Sequence, residues 1–467
     1  MLFNSFTFIG LLLVTLLLYY LPCFKRYQIQ ILILASLVFY SYNRPILVLL
    51  LLFSVSINIV SSYWVVYGKP ERRFLVATLG VALNLSLLLF FKYSPMFSRL
   101  FFPSSSSIGE FLLTVPLPIG ISFFTFQGIS LVVDVFKENY FKGKDVVPPS
   151  FAEHAKRVLF FKAFFPQLIS GPIVKAHDFF PQIKFKRFSD IQWETCFRSL
   201  VAGYFLKMVV ADNLKDYTFW IQYPYFGIKS TLTLLMLLFG YSCQIFADFS
   251  GYSLIAIGLA KLFGYHFNAN FNYPYISSSF REFWKRWHIS LSTFLMEYLY
   301  IPLGGNRKGS VRTYINLLTT MVLGGLWHGA AVSYAVWGLF HGGALAVERF
   351  FDQNFNIPGG KIVMAIRWFI VFAFVTLAWL LFKLPNFSQV ILYLKAIYSN
   401  LGGTDVTLIC YLVLYSLPIA AYHIYHLLKR ETKYDFLCRV DSIVFGVMLF
   451  LVATNSGSPG AFIYFQF

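Results

Sequence analysis

The stretch Phe74-Leu75-Val76-Ala77-Thr78-Leu79-Gly80-Val81-Ala82-Leu83-Asn84-Leu85-Ser86-Leu87-Leu88-Leu89-Phe90-Phe91 contains no ionisable side chain. A bilayer core asks for ~20 consecutive apolar residues of a helix. Four further runs approach or reach that length: Phe6–Leu21, Ile46–Val66, Leu232–Phe246 and Ile362–Phe382, the last broken only by Arg367. Alternating period-2 segments with turn signals, the pattern of a transmembrane barrel, are absent. The reading is an all-α polytopic membrane protein. A ~20-residue ruler predicts roughly eleven to thirteen transmembrane or re-entrant helices around a central polar cavity.

Composition agrees. The 467 residues are 58% hydrophobic and 12% charged, with a mean hydropathy of +0.66. A soluble domain carries roughly a quarter charged residues. The net charge of +18 is spread over short loops, which suits topology signals and lipid headgroups and argues against nucleic acid. The first apolar run is followed by Lys25 and Arg26 and preceded by no base, the reverse of a cleavable signal peptide. Lys25/Arg26, Lys69/Arg72/Arg73 and Lys137 through Arg157 all fall on the cytoplasmic side if the N-terminus lies outside. Five scattered cysteines (Cys23, Cys196, Cys243, Cys410, Cys438) include no CxxC pair, so neither a disulfide frame nor a zinc site is expected.

The polar intervals, Ser104–Glu110, Lys137–Lys156 and Lys175–Glu194, are too short to form a second core. Three regions differ in character: N-terminal membrane helices over 1–92, a core over 93–350 and C-terminal membrane helices over 351–467. Gly, Pro, Asn, Asp and His interrupt the core's apolar runs, as in Gln167-Leu168-Ile169-Ser170-Gly171-Pro172, Phe246-Ala247-Asp248-Phe249-Ser250-Gly251 and Asn270-Phe271-Asn272-Tyr273-Pro274. Broken backbone at membrane depth persists only where protein or a wet cavity satisfies it. The functional centre is expected there.

Within that core, His328 sits in the apolar stretch Met321–Ala331, and ionisable groups at such depth suggest a functional site. It reads either as a core imidazole bonded between helices or as a general base. Gly324, Gly325 and Gly329 would let a ligand or another helix approach it. His288 lies in Phe280–Ser292, read as one amphipathic interfacial or cavity-lining helix. On such a helix Arg281, Trp284, Lys285 and His288 share a face, and the bases would hold an anionic ligand. An interfacial, water-exposed histidine is the alternative. His341 needs a chain break, for which Ser333 or Gly338 are candidates, to join His328. Asp248 reads as a backbone cap or a polar contact in the cavity. His423 and His426 lack a third ligand, and no metal site is expected. Arg307 and Lys308, in a Gly-rich loop, are weak evidence for phosphate binding.

Taken in order, Leu117–Gln127, Phe165–Ile173, Asp248–Tyr252, Phe280–Ser292, Tyr300–Arg307 and Gly324–Gly329 resemble the membrane-bound O-acyltransferases, and among them the alginate O-acetyltransferase type. The resemblance implies a bacterial inner-membrane enzyme with His328 as catalytic residue and His288 as the second signature position. Trp284, Trp287, Trp327, Asp248, Arg281, Asn306 and His341 are the expected substrate-binding or supporting set. No bound cofactor is implied. The expected donor is acetyl-CoA, the acceptor a polysaccharide, and the partners extracytoplasmic acetyltransferases or polymer-binding proteins. D-alanyl or other acyl transfer to an envelope polymer, and non-catalytic transport, are the competing readings.

Overall fold

The computed structural model describes residues 1–103, 106–169, 171–355, 359–400, 402–431, 436–460 and 462. Ser104 and Ser170 fall outside these residues, and the side chain of Cys438 is likewise not described. All regular structure among the described residues is helical. Five helices are long and apolar enough to cross a membrane: Leu47–Tyr67, Pro70–Phe101, Thr231–Leu262, Lys361–Lys383 and Val406–Leu428. A sixth span arises if Phe6–Tyr20 and Pro22–Ser41, bent by 97°, count as one. The remaining helices are shorter or less apolar, Gly309–His328 and Val332–Asn354 being long enough at 20 and 23 residues but too polar along their length, so broken and polar helices take a large share of the fold.

Burial separates these spans. The apolar window of Thr231–Leu262 is 78% buried, whereas the other four are 22–39% buried. The outer spans show Phe74, Leu79, Ile362 and Phe369 at their surfaces, as lipid-facing helices do.

The chain divides into two compact units, Met1–Phe197 with Ile255–Asn268, and Arg198–Leu254 with Ala269–Phe467. In the first, Leu47–Tyr67, Arg73–Phe101 and Ile121–Lys137 pack through small and amide side chains. Asn58 and Asn84 exchange reciprocal amide bonds of 3.1 Å, and the faces of Gly80 and Gly128 lie against Ser61 and Asn58. Lipid-immersed helices associate through such residues because apolar burial alone does not distinguish a neighbouring helix from lipid. The buried Lys162 donates to Ser54 Oγ at 2.8 Å, and Phe160, Phe164, Phe179 and Tyr265 interlock as an aromatic core.

The second unit is organised around its part of Thr231–Leu262. Tyr275 Oη donates to Ser242 O, Tyr393 Oη to Leu234 O, and Ser242 Oγ to Thr376 Oγ1. These bonds tie the loop before Phe280 and the helices Lys361–Ala378 and Phe387–Ser399 to that central helix. His423 uses both ring nitrogens structurally, Nδ1 donating to Ile419 O and Nε2 accepting from Tyr275 N–H.

Candidate active site

The helices Gly309–His328 and Val332–Asn354 form a hairpin whose break falls at Gly329–Ala331. A Cβ on Gly325 would overlap the Tyr334 carbonyl, and one on Gly338 the Met321 carbonyl. Glycine at both positions therefore brings backbone against backbone. At Gly325 and Gly338 the close approach permitted is that of another helix. It places Trp337 beside His328, with ring centroids 5.3 Å apart.

His328 ends its helix rather than lying midway along a span, and is 4% exposed. Trp327 and Phe382 each lie 5.0 Å from its ring, and His288 lies 6.5 Å away.

His288 reaches this position because Phe280–Ser292 is not one helix. Ser279 Oγ caps the Glu282 N–H at 3.0 Å, and the Glu282 carboxylate accepts from Ser278 N–H, so the first helix starts firmly. It stops at Arg286; Trp287 is extended, and a second helix begins at Ile289. At the break His288 has φ 43° and ψ 54°, a left-handed conformation uncommon for residues other than glycine. Asn270 holds it there. The Asn270 carbonyl accepts from Ile289 N–H, while Oδ1 accepts from Ser290 N–H at 3.2 Å and Ser290 Oγ–H at 2.9 Å and meets His288 Nδ1 at 3.1 Å. A backbone N–H can only donate, which fixes the oxygen of the amide toward Ser290 and His288. His288 Nδ1 therefore carries the proton, and in the neutral imidazole Nε2 is the acceptor.

This corrects the shared-face expectation. His288 is 1% exposed and buried, not interfacial. Arg281 and Lys285 are exposed, and the Arg281 backbone N–H bonds Glu348. Neither base joins the histidines, because the break rotates His288 away from them.

Two cavities approach His328. A small one of about 180 Å³ is walled by His328, Trp284, Trp337, Gly324, Leu295 and Met296, among others. Buried Trp284 Nε1, Trp337 Nε1 and both His341 nitrogens have no hydrogen-bond partner among the described residues. His341 meets Trp284 and Trp337 at 5.2 and 4.6 Å, so the hairpin brings it into the cluster. Trp287 stacks on Phe283 and lies 4.8 Å from Trp379, one layer behind. Asn306 is exposed and accepts from Tyr300 Oη, whose ring lines the small cavity.

The larger cavity, about 690 Å³, contains Asp248. Lys207 Nζ lies 2.7 Å from Asp248 and 2.8 Å from Asp212, all three buried. A π-helical turn over Phe205–Ala211 presents Lys207, and another over Met296–Tyr300 lines the small cavity. Such bulges are frequent at functional sites. Tyr334 and Phe382 line the large cavity, and Phe382 also touches the His328 ring. Sequence reasoning missed Lys207, Asp212, Asn270 and Trp337. The lone cation inside Phe205–Val210 was the available signal for Lys207. Asn270 gave none beyond lying in a broken run.

Residues 3–388 match the membrane-bound O-acyltransferase family. The chain is 39% identical over 415 residues to a probable alginate O-acetylase AlgI of Pseudomonas aeruginosa, covering 85% of this chain and 75% of the relative. It is 37% identical to a peptidoglycan O-acetyltransferase of Helicobacter pylori, covering 80% and 74%. To a teichoic acid D-alanyltransferase of Bacillus subtilis it is 26% identical, covering 77% and 91%.

Proposed function

The chain belongs to the membrane-bound O-acyltransferase family, and from that membership and its site we propose that it moves acetyl from cytoplasmic acetyl-CoA to an extracytoplasmic polysaccharide, directly or through a partner protein. His328 is the base. The observation that carries this reading is its position: a buried imidazole that walls one cavity and touches, through Phe382, the wall of another.

In the reaction, His328 takes the proton of the acceptor hydroxyl as its oxygen attacks the thioester carbon. The C–S bond breaks, the electron pair leaves on sulfur, and the imidazolium returns its proton to the thiolate. His288 supplies Nε2 as a fixed hydrogen-bond acceptor, aligning a hydroxyl without itself taking the proton. The aromatic walls exclude water, which would otherwise compete for the thioester. Exposed Lys184 and Arg187, with half-buried Lys186, offer positive charge to the donor's phosphates.

Loss of a general base typically costs about 10²–10⁴ in rate. His328→Ala should abolish polymer acetylation at normal expression and membrane insertion. Polymer acetate at the wild-type level in that variant would rule out the assignment. Transport of polymer by purified protein in liposomes, without acyl transfer, would favour a carrier instead.

A further inference from the structure

We propose that the 690 Å³ cavity around Lys207, Asp212 and Asp248 is a binding subsite for a sugar ring of the acceptor polysaccharide, entered from the extracytoplasmic face. The assignment deepens the acetyl-transfer reading and rests on it, but is tested by binding rather than turnover.

The polar inventory fits a polyol. Asp212 is 2% exposed; its Oδ1 accepts from Lys207, while its Oδ2 has no hydrogen-bond partner among the described residues. A buried carboxylate oxygen left unsatisfied is costly, which leaves Asp212 with acceptor capacity beyond its pair with Lys207. Opposite in kind is Lys383. Its Nζ lies 5.0 Å over the Tyr241 ring, with no hydrogen bond or ion pair to a described residue. Carboxylate and ammonium side chains thus line one space, and a hydroxyl is the group that serves both as donor and as acceptor.

Charge separates this ligand from the donor. Three lysines (Lys207, Lys215, Lys383) and three aspartates (Asp212, Asp216, Asp248) line the cavity, so the formal charges cancel. The phosphates of coenzyme A would meet Asp212 and Asp248 at the inner end. Aromatic surfaces of Phe219, Tyr223 and Tyr241 offer flat apolar faces on which the C–H face of a pyranose can lie. At 690 Å³ the space is within the ~300–1,000 Å³ of small-molecule sites.

Position supports the acceptor role. The mouth, at exposed Asp216, Phe219 and Tyr223, lies toward the N-terminal end of Thr231–Leu262. There Lys229 pairs with Asp405 at 3.0 Å, just before the helix Val406–Glu431. That helix runs away from the mouth to Lys429-Arg430, and Tyr273, near the level of Arg286, stacks on its His426. The arginine-rich end is cytoplasmic by the positive-inside rule, so the mouth is outside. The inner wall is Tyr334 and Phe382, whose ring touches His328.

The test is saturation-transfer NMR on the full chain in nanodiscs, with a tetrasaccharide of 1,4-linked hexuronates and one of 1,4-linked glucose as probes. At least one should bind wild type and His328→Ala alike. Asp212→Asn and Lys383→Met should each weaken binding by about tenfold or more, the effect of losing a hydrogen bond to a charged group. Lys383→Met removes only a ring contact within the protein, so unfolding does not confound it, and thermal melts check both variants. Absence of binding by both probes, or full binding in folded Lys383→Met, overturns the subsite. Binding without any acetyl transfer would keep the subsite and remove the proposed reaction. Acetyl transfer without oligosaccharide binding would remove the subsite and make a partner protein's hydroxyl the acceptor.

Discussion

Replacing each histidine by asparagine separates the two roles, and the backbone makes the comparison fair. His288 has φ 43°. A residue forced left-handed costs roughly 1–2 kcal/mol unless it is glycine, asparagine or aspartate. His288→Asn therefore keeps the turn, whereas His288→Ala adds strain to the lost chemistry. Asparagine also retains a hydrogen-bonding group but cannot titrate. If His288 only aligns a hydroxyl, the loss corresponds to one hydrogen bond, roughly 0.5–1.5 kcal/mol, or a fall of about two- to thirteenfold. If His328 is the base, His328→Asn removes the proton acceptor, and the fall should be about 10²–10⁴. His328 lies on regular helix, so no comparable strain enters. The assay is the initial rate of acetyl transfer in membrane vesicles at matched protein, with a thermal melt of each variant. Equal losses would mean that the pair acts as a unit. A larger loss at His288 would refute the division and transfer the base to its Nε2.

Three further outcomes follow from the geometry. Neutralising Lys184, Lys186 and Arg187 together should raise the donor KM, more at low salt than at high salt; an unchanged KM at both would exclude this entry side. Gly338→Val drives a side chain into the Met321 carbonyl, and overpacking typically costs about 1–3 kcal/mol. The melt should fall and activity with it, while a wild-type melt would show the hairpin to be looser than described. Lys207→Met leaves Asp212 and Asp248 buried without their shared cation. Breaking a buried ion pair in this way costs roughly 3–5 kcal/mol, so folded yield should drop sharply. The double change Lys207→Met with Asp248→Asn should recover part of it, and no recovery would refute the charge argument.

The fold class was legible in the chain because bilayer thickness is a length scale that a one-dimensional pattern can meet: runs such as Ile46–Val66 and Phe74–Phe91 reappear as the helices Leu47–Tyr67 and Arg73–Phe101. His328 stood out as a candidate for a related reason, since a polar side chain in an apolar run is conspicuous without any knowledge of its neighbours. Tertiary structure alone decided what surrounds it. Helical periodicity puts His288 on a face with Arg281 and Lys285, and that face does not exist, because Asn270, eighteen positions earlier, captures Ser290 and His288 and holds the helix broken. Gly325 and Gly338 each look like mere gaps until their helices fold back and the two gaps coincide. Lys207 and Asp248 are isolated charges in separate apolar runs, and only the packing of one helix on another makes them a pair. Local pattern encodes which way a residue faces along its own helix. Partners across space depend on breaks and hydrogen bonds set by distant residues, and no periodicity records those.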